Sequence, residues 1–188
     1  KRQMADTSIL KKGLCIIFKG EPHIVVDKTF VSPGKGSAFF RTRLKNIKSG
    51  ALFDFTFKSG EKIEEAPLVT QEFQYLYRQE NEYFFMNPRT YEQISLEEDI
   101  LGNFKNFVKE SDLYQIYTLE DKAVSLRAPQ KVTLKVVEAE NSVKGNTVTG
   151  ATKTVKVETG YELQVPLFIK EGDSIVINTE TGEYTNRA

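Results

Sequence analysis

Ile24-Val25-Val26-Asp27-Lys28-Thr29-Phe30-Val31-Ser32-Pro33-Gly34-Lys35-Gly36-Ser37-Ala38-Phe39-Phe40-Arg41-Thr42-Arg43-Leu44 reads as strand, glycine turn, strand. β-Branched and aromatic residues fill both arms, and Pro33 sets its own φ for a turn. Gly34 and Gly36 are free to take positive φ values that cost other residues about 1 kcal/mol or more. The expected product is a narrow hairpin with Lys35 alone at its tip, since the nearest acids in sequence are Asp27 and Asp54. Lysine is common at turn tips because it stays solvated, so the turn alone does not establish a site. A phosphate-binding P-loop is excluded, because Thr29 stands where its first glycine belongs and Gly36 where its Ser/Thr belongs.

Further strands are expected at Leu14 to Phe18 and Ala51 to Lys58. Phe53-Asp54-Phe55-Thr56-Phe57 alternates so that every second side chain points to a core. About five short strands in some 60 residues suggest an SH3-like (KOW-type) barrel for residues 1–64. Residues 65–127 repeat the style, with a hairpin of Glu72 to Arg78 and Glu82 to Met86. Ser95 with Glu98 reads as a capping box, and Phe104, Phe107 and Val108 as one buried helix face. Ala128-Pro129-Gln130 reads as a linker into residues 128–188, where Val132 to Ala139, Lys153 to Glu158, Glu162 to Pro166 and Ser174 to Asn178 are strand-like. That spacing suits a five-stranded barrel of the oligonucleotide-binding (OB) type, and the middle third fits it too. The expected architecture is mostly β, with three small barrels in an elongated arrangement.

The chain has 26 Lys+Arg and 26 Asp+Glu, yet the charges are unevenly placed. Residues 1–63 hold 13 basic and 5 acidic side chains, 64–127 hold 6 and 13, and 128–188 hold 7 and 8, giving +8, −7 and −1. Only part of such a molecule is suited to meet a polyanion. Lys28, Arg41, Arg43, Lys45 and Lys48 flank the hairpin, with Arg41 and Arg43 on one strand face. Phe39 and Phe40 are readable as base-stacking residues, although core packing is the simpler role. The Tyr184 to Arg187 tail joins an aromatic ring to a guanidinium, and it is equally readable as a frayed end.

Enzyme chemistry finds little support. His23, the one histidine, lies in an apolar strand, and Cys15, the one cysteine, lies in Leu14-Cys15-Ile16-Ile17, so a nucleophile–base pair, an internal disulfide and a zinc site are not expected. Glu64-Glu65 and Glu97-Glu98 read as solvated acids rather than a cation site. No long apolar run or leader segment stands out, so a cytoplasmic protein without a membrane span is expected. Met4 is a candidate native start, which would make Lys1-Arg2-Gln3 an addition to it.

Three strings in order carry a resemblance: Ser32-Pro33-Gly34-Lys35-Gly36-Ser37-Ala38-Phe39, then Tyr75-Leu76-Tyr77 with Phe85-Met86-Asn87, then Gly160 to Arg187 with Val165-Pro166-Leu167-Phe168 and Thr181-Gly182-Glu183-Tyr184. Across Ile9 to Arg187 the chain resembles the bacterial elongation factor P family. The resemblance implies an L-shaped, non-enzymatic translation factor with an SH3-like domain and two OB-type barrels; polar barrel surfaces and the lack of coiled-coil heptads suggest a monomer. It implies binding to both ribosomal subunits and their rRNA between the peptidyl and exit sites, beside peptidyl- or initiator tRNA. Stalling at consecutive prolines would be relieved there. On that pattern Lys35 receives a covalent extension, often β-lysyl, from a modifying enzyme, with no other cofactor. Tyr184 and Arg187 match positions that contact the tRNA anticodon stem and small subunit. Gly145-Asn146-Thr147 matches a loop near the exit-site codon that usually reads Gly-Asp-Thr, and Asn103 also stands where relatives carry Asp. A general single-strand RNA-binding or chaperone protein is the alternative, which the acidic middle module disfavours.

Overall fold

The computed structural model describes residues 2–140 and 151–188. Among the described residues, sixteen strands form three antiparallel, barrel-like sheets. The first contains β1 (Gln3–Asp6), β2 (Cys15–Phe18), β3 (Glu21–Val31), β4 (Phe39–Asn46), β5 (Leu52–Lys58) and β6 (Lys62–Glu65), ordered β1-β6-β2-β3-β4-β5. The expected phenylalanine alternation is observed, with Phe57 buried and Phe53 and Phe55 packed against a core of Leu10, Leu14, Ile16, Val25, Phe40, Leu44 and Ile63. β1 and β6 bring the count to six rather than five. They escape the sequence pattern because Lys62-Ile63-Glu64-Glu65 carries a single apolar residue and pairs through its backbone with β1. Thr7 secures this corner from a fully buried position: its hydroxyl donates to the Lys58 carbonyl at 3.2 Å and accepts from the Gly60 amide at 2.9 Å.

The second sheet contains β7 (Leu68–Gln79), β8 (Glu82–Met86), β9 (Gln93–Glu97), β10 (Leu113–Leu119) and β11 (Lys122–Leu126), ordered β11-β10-β7-β8-β9. The β7–β8 hairpin forms as expected and turns at Glu80, whose φ is +53°. The capping box does not form. Ser95 belongs to β9, pairs with Phe84 and donates its hydroxyl to Glu82 at 3.1 Å. The short helix α1 (Glu98–Leu101) starts after Glu97 without a side-chain cap. Gly102, at φ 55° and ψ −135°, ends it, and a 3-10 turn over Gly102–Asn106 follows. Phe104, Phe107 and Val108 are buried as expected, yet a single long helix is not their scaffold. Apolar residues three apart satisfy a 3-10 turn as well as an α-helix, so their periodicity cannot separate the two.

The third sheet contains β12 (Lys131–Ala139), β13 (Thr152–Val157), β14 (Glu162–Pro166), β15 (Ser174–Asn178) and β16 (Tyr184–Arg187), ordered β14-β13-β12-β15-β16. The tail is not frayed: Tyr184 pairs with Ile177 and Arg187 with Ile175, and the Ala188 amide donates to Ser174 at 2.9 Å. Before β12, Thr179 fastens the connecting segment by donating its hydroxyl to the Pro129 carbonyl at 2.5 Å.

The second and third sheets share one continuous core, in which Phe107 meets Tyr161 edge-on at 4.9 Å. Asn103 donates to the Glu180 carbonyl at 3.1 Å, and Thr159 donates to the Asn106 carbonyl at 2.7 Å. The first sheet meets the second through a smaller cluster of Cys15, Ile47, Ala66 and Leu119.

Candidate nucleic-acid interface

β3 and β4 pair continuously from His23–Asn46 to Val31–Phe39, with one bulge between Val25 and Asp27. Beyond the last pair the chain from Ser32 to Ser37 is exposed and unpaired, so the tip is a loop on a two-stranded stem rather than a tight turn. Gly36 has φ +106°, as expected, whereas Gly34 does not take a positive φ. One permissive residue suffices once the loop is this long, and the Pro33 ring lies beside Gly36. Lys35 is exposed and has no ion-pair partner among the described residues.

Arg41, Arg43 and Lys45 alternate with buried Phe40, Thr42, Leu44 and Asn46, so all three basic residues share the exposed face of β4. The sheet register sorts them in a way that linear spacing does not. Arg43 lies between Asp27 on β3 and Asp54 on β5, with its Nε 3.9 Å from Asp54. Arg41 instead lies between Thr29 and Thr56, its guanidinium over the Phe39 ring at 5.6 Å. The acids nearest Lys35 in sequence are therefore placed beside Arg43, so that Arg41 extends the positive face toward Lys35 while Lys45 lies beyond the acids, away from the tip. Phe40 packs in the core and Phe39 is half-buried.

Tyr184 and Arg187 stand on the third sheet, apart from this stem; Tyr184 packs against the core and Arg187 is exposed. Gly145, Asn146 and Thr147 lie outside the described residues. Asn103 proves to be a tie between the second and third sheets, in a bond that needs an amide N–H and that an Asp in its place could not make. His23 is buried beside Phe18 and Phe53, with Nδ1 2.8 Å from the Glu21 carbonyl. Burial pushes the Cys15 thiol up to about 11.

A cleft of about 950 Å³, unforeseen from sequence, lies between the second and third sheets and is lined by Tyr75, Arg78, Glu98, Lys105, Lys109 and Glu158. Most of its charges are paired: Arg78 donates to Glu98 at 2.6 Å, Lys105 also donates to Glu98, and Lys109 lies 3.4 Å from Glu158. The Lys105 hydrogen bond, helped by the Arg78 charge, holds the Glu98 carboxyl below its ordinary value. These contacts span or line the seam and leave little unpaired charge for a ligand.

Three family models match successive parts of the chain: "Elongation factor P (EF-P) KOW-like domain" at residues 6–63, "Elongation factor P (EF-P) OB domain" at 68–126, and "Elongation factor P, C-terminal" at 132–187. The elongation factor P of Symbiobacterium thermophilum is 44% identical over 185 residues, covering 98% of this chain and 100% of that one. The chain belongs to the elongation factor P family. Family members from Moorella thermoacetica and Treponema denticola are 43% and 39% identical, over 98% and 95% of this chain and 100% and 95% of theirs. The fold also resembles "Eukaryotic translation initiation factor 5A from Methanococcus jannaschii", with a TM-score of 0.51 and 21% identity over 66% of this chain and 94% of that one. The family match covers the KOW-like stem, the OB domain and the C-terminal strands alike.

Proposed function

We propose that this elongation factor acts in the cytoplasm, as a single chain and without catalysing a reaction itself, on ribosomes stalled at consecutive prolines. It binds both subunits and rRNA between the peptidyl and exit sites, beside peptidyl- or initiator tRNA, and directs Lys35 toward the acceptor end. A modifying enzyme extends the Lys35 amine, with a β-lysyl group as one such extension. The observation that carries this reading is the exposure of Lys35 on an unpaired loop, held by a paired stem whose basic face continues through Arg41. Proline is a rigid, poor nucleophile. A cation that orients the acceptor end lowers an entropic barrier without entering the chemistry. Tyr184 and Arg187, and residues Gly145 to Thr147, are proposed contacts to tRNA, small subunit and codon.

Lys35→Ala tests the reading in reconstituted translation of a proline-rich message. The variant should fold and melt as the parent does, because the Lys35 side chain makes no packing contact that the fold needs. Relief of stalling should be lost, and full activity would refute the mechanism. Intact mass of protein from its native host reports the extension.

A further inference from the structure

Phe30 is 54% exposed although it is paired within β3, one residue before the strand gives way to the Lys35 loop. It lies directly across from Phe40, which is buried, and their ring centroids are 5.0 Å apart with the planes at 49°. Phe40 is already covered by the barrel core, so the second ring adds little burial of its own. The flank of Phe30 is open because β2 stops pairing with β3 at Ile24, and no strand of the described residues pairs with the outer edge of β3 near Phe30. Lys28 lies two residues away on the same face, its ammonium 5.5 Å from the Phe40 ring. Asp27 lies on the other face, opposite Arg43. An open aromatic ring, a neighbouring cation and no acid at the positions paired with them, which are Phe40 and Thr42, together form the chemistry that single-stranded nucleic acid uses, with the base on the ring and phosphate near the ammonium.

We infer that Phe30 is a positioning residue that stacks on an unpaired nucleobase of the single-stranded acceptor end, fixing the distance from that end to Lys35. This rests on the proposed translational reading and adds a contact to it. The charge of the first module, +8, favours a polynucleotide over a protein surface as the occupant.

The test uses the full chain with Phe30→Leu, which keeps apolar bulk but removes the π face, and Phe30→Trp, which keeps that face. A single-stranded RNA hexamer containing 2-aminopurine reports stacking by fluorescence quenching. Quenching is expected with the parent, weakened about fivefold or more in affinity for Phe30→Leu, and restored by Phe30→Trp. Relief of proline stalling should follow the same order, with Lys35 extended equally in all three by intact mass. Equal quenching and equal stalling relief in Phe30→Leu would overturn the inference. So would loss of the Lys35 extension in Phe30→Leu without a change in quenching, which would assign the ring to the modifying enzyme. A parent that fails to relieve stalling while quenching still depends on Phe30 defeats the translational reading and supports the stacking contact.

Discussion

Gly182 has φ +75°, and a Cβ built there would collide with the hydroxyl of Tyr161. Tyr161 cannot swing away freely, because its ring packs edge-on against Phe107. Gly182→Ala therefore combines backbone strain with overlap, and is expected to destabilise the protein by about 1–3 kcal/mol, read from the urea midpoint. A Cβ at Gly36, at φ +106°, would meet only the Pro33 ring at an ordinary van der Waals distance, so Gly36→Ala should cost only the backbone term of about 1 kcal/mol. The two glycines look alike in sequence. Only the tertiary neighbour separates them, since Tyr161 is 21 residues from Gly182 and reaches it across the third sheet.

Between β9 and β10, Glu98 at the start of α1 draws together Arg78 of β7 and Lys105 of the following 3-10 turn. Its carboxyl is held below the ordinary value of 4.5, chiefly by the Lys105 hydrogen bond. A depressed folded value means that the stabilisation is present above the ordinary carboxylate range and is lost as pH falls through the folded value. The parent should therefore exceed Glu98→Gln in urea midpoint at pH 7, with the gap closing as pH is lowered below 4.5. A gap that stays constant with pH would show that the pair does not contribute electrostatically. The acids at the start of α1 were visible in sequence, but their partners were not, because a strand and a turn on either side supply them. The same limit produced the mistaken capping box at Ser95, where sheet pairing outweighed a local cap.

Across the whole molecule, the two seams differ in construction. The second and third sheets share a core and are tied by Asn103–Glu180, Thr159–Asn106 and Lys109–Glu158. The first sheet joins the second through Cys15, Ile47, Ala66 and Leu119, a much smaller set. We expect the first module to move relative to a stiffer pair formed by the other two. Leu119→Ala should cost about 2 kcal/mol or more and open that smaller seam first. Cys15 reports the opening: its thiol is pushed up to about 11 by burial, so alkylation at pH 8 should be slow in the parent and clearly faster in Leu119→Ala. Equal rates would mean that the seam opens only with global unfolding.

Strand content, three successive β modules, the exposed Lys35 loop and the alternating basic face of β4 were all legible in the residues, because each depends on local turn chemistry and a period of two. The tertiary structure decided which strands close each sheet, how Asp27 and Asp54 flank Arg43, and that the C-terminal residues form a paired strand. It also decided that Phe107 and Tyr161 weld two modules together. Those outcomes depend on contacts between residues far apart in the chain, whose pairing register no local pattern encodes.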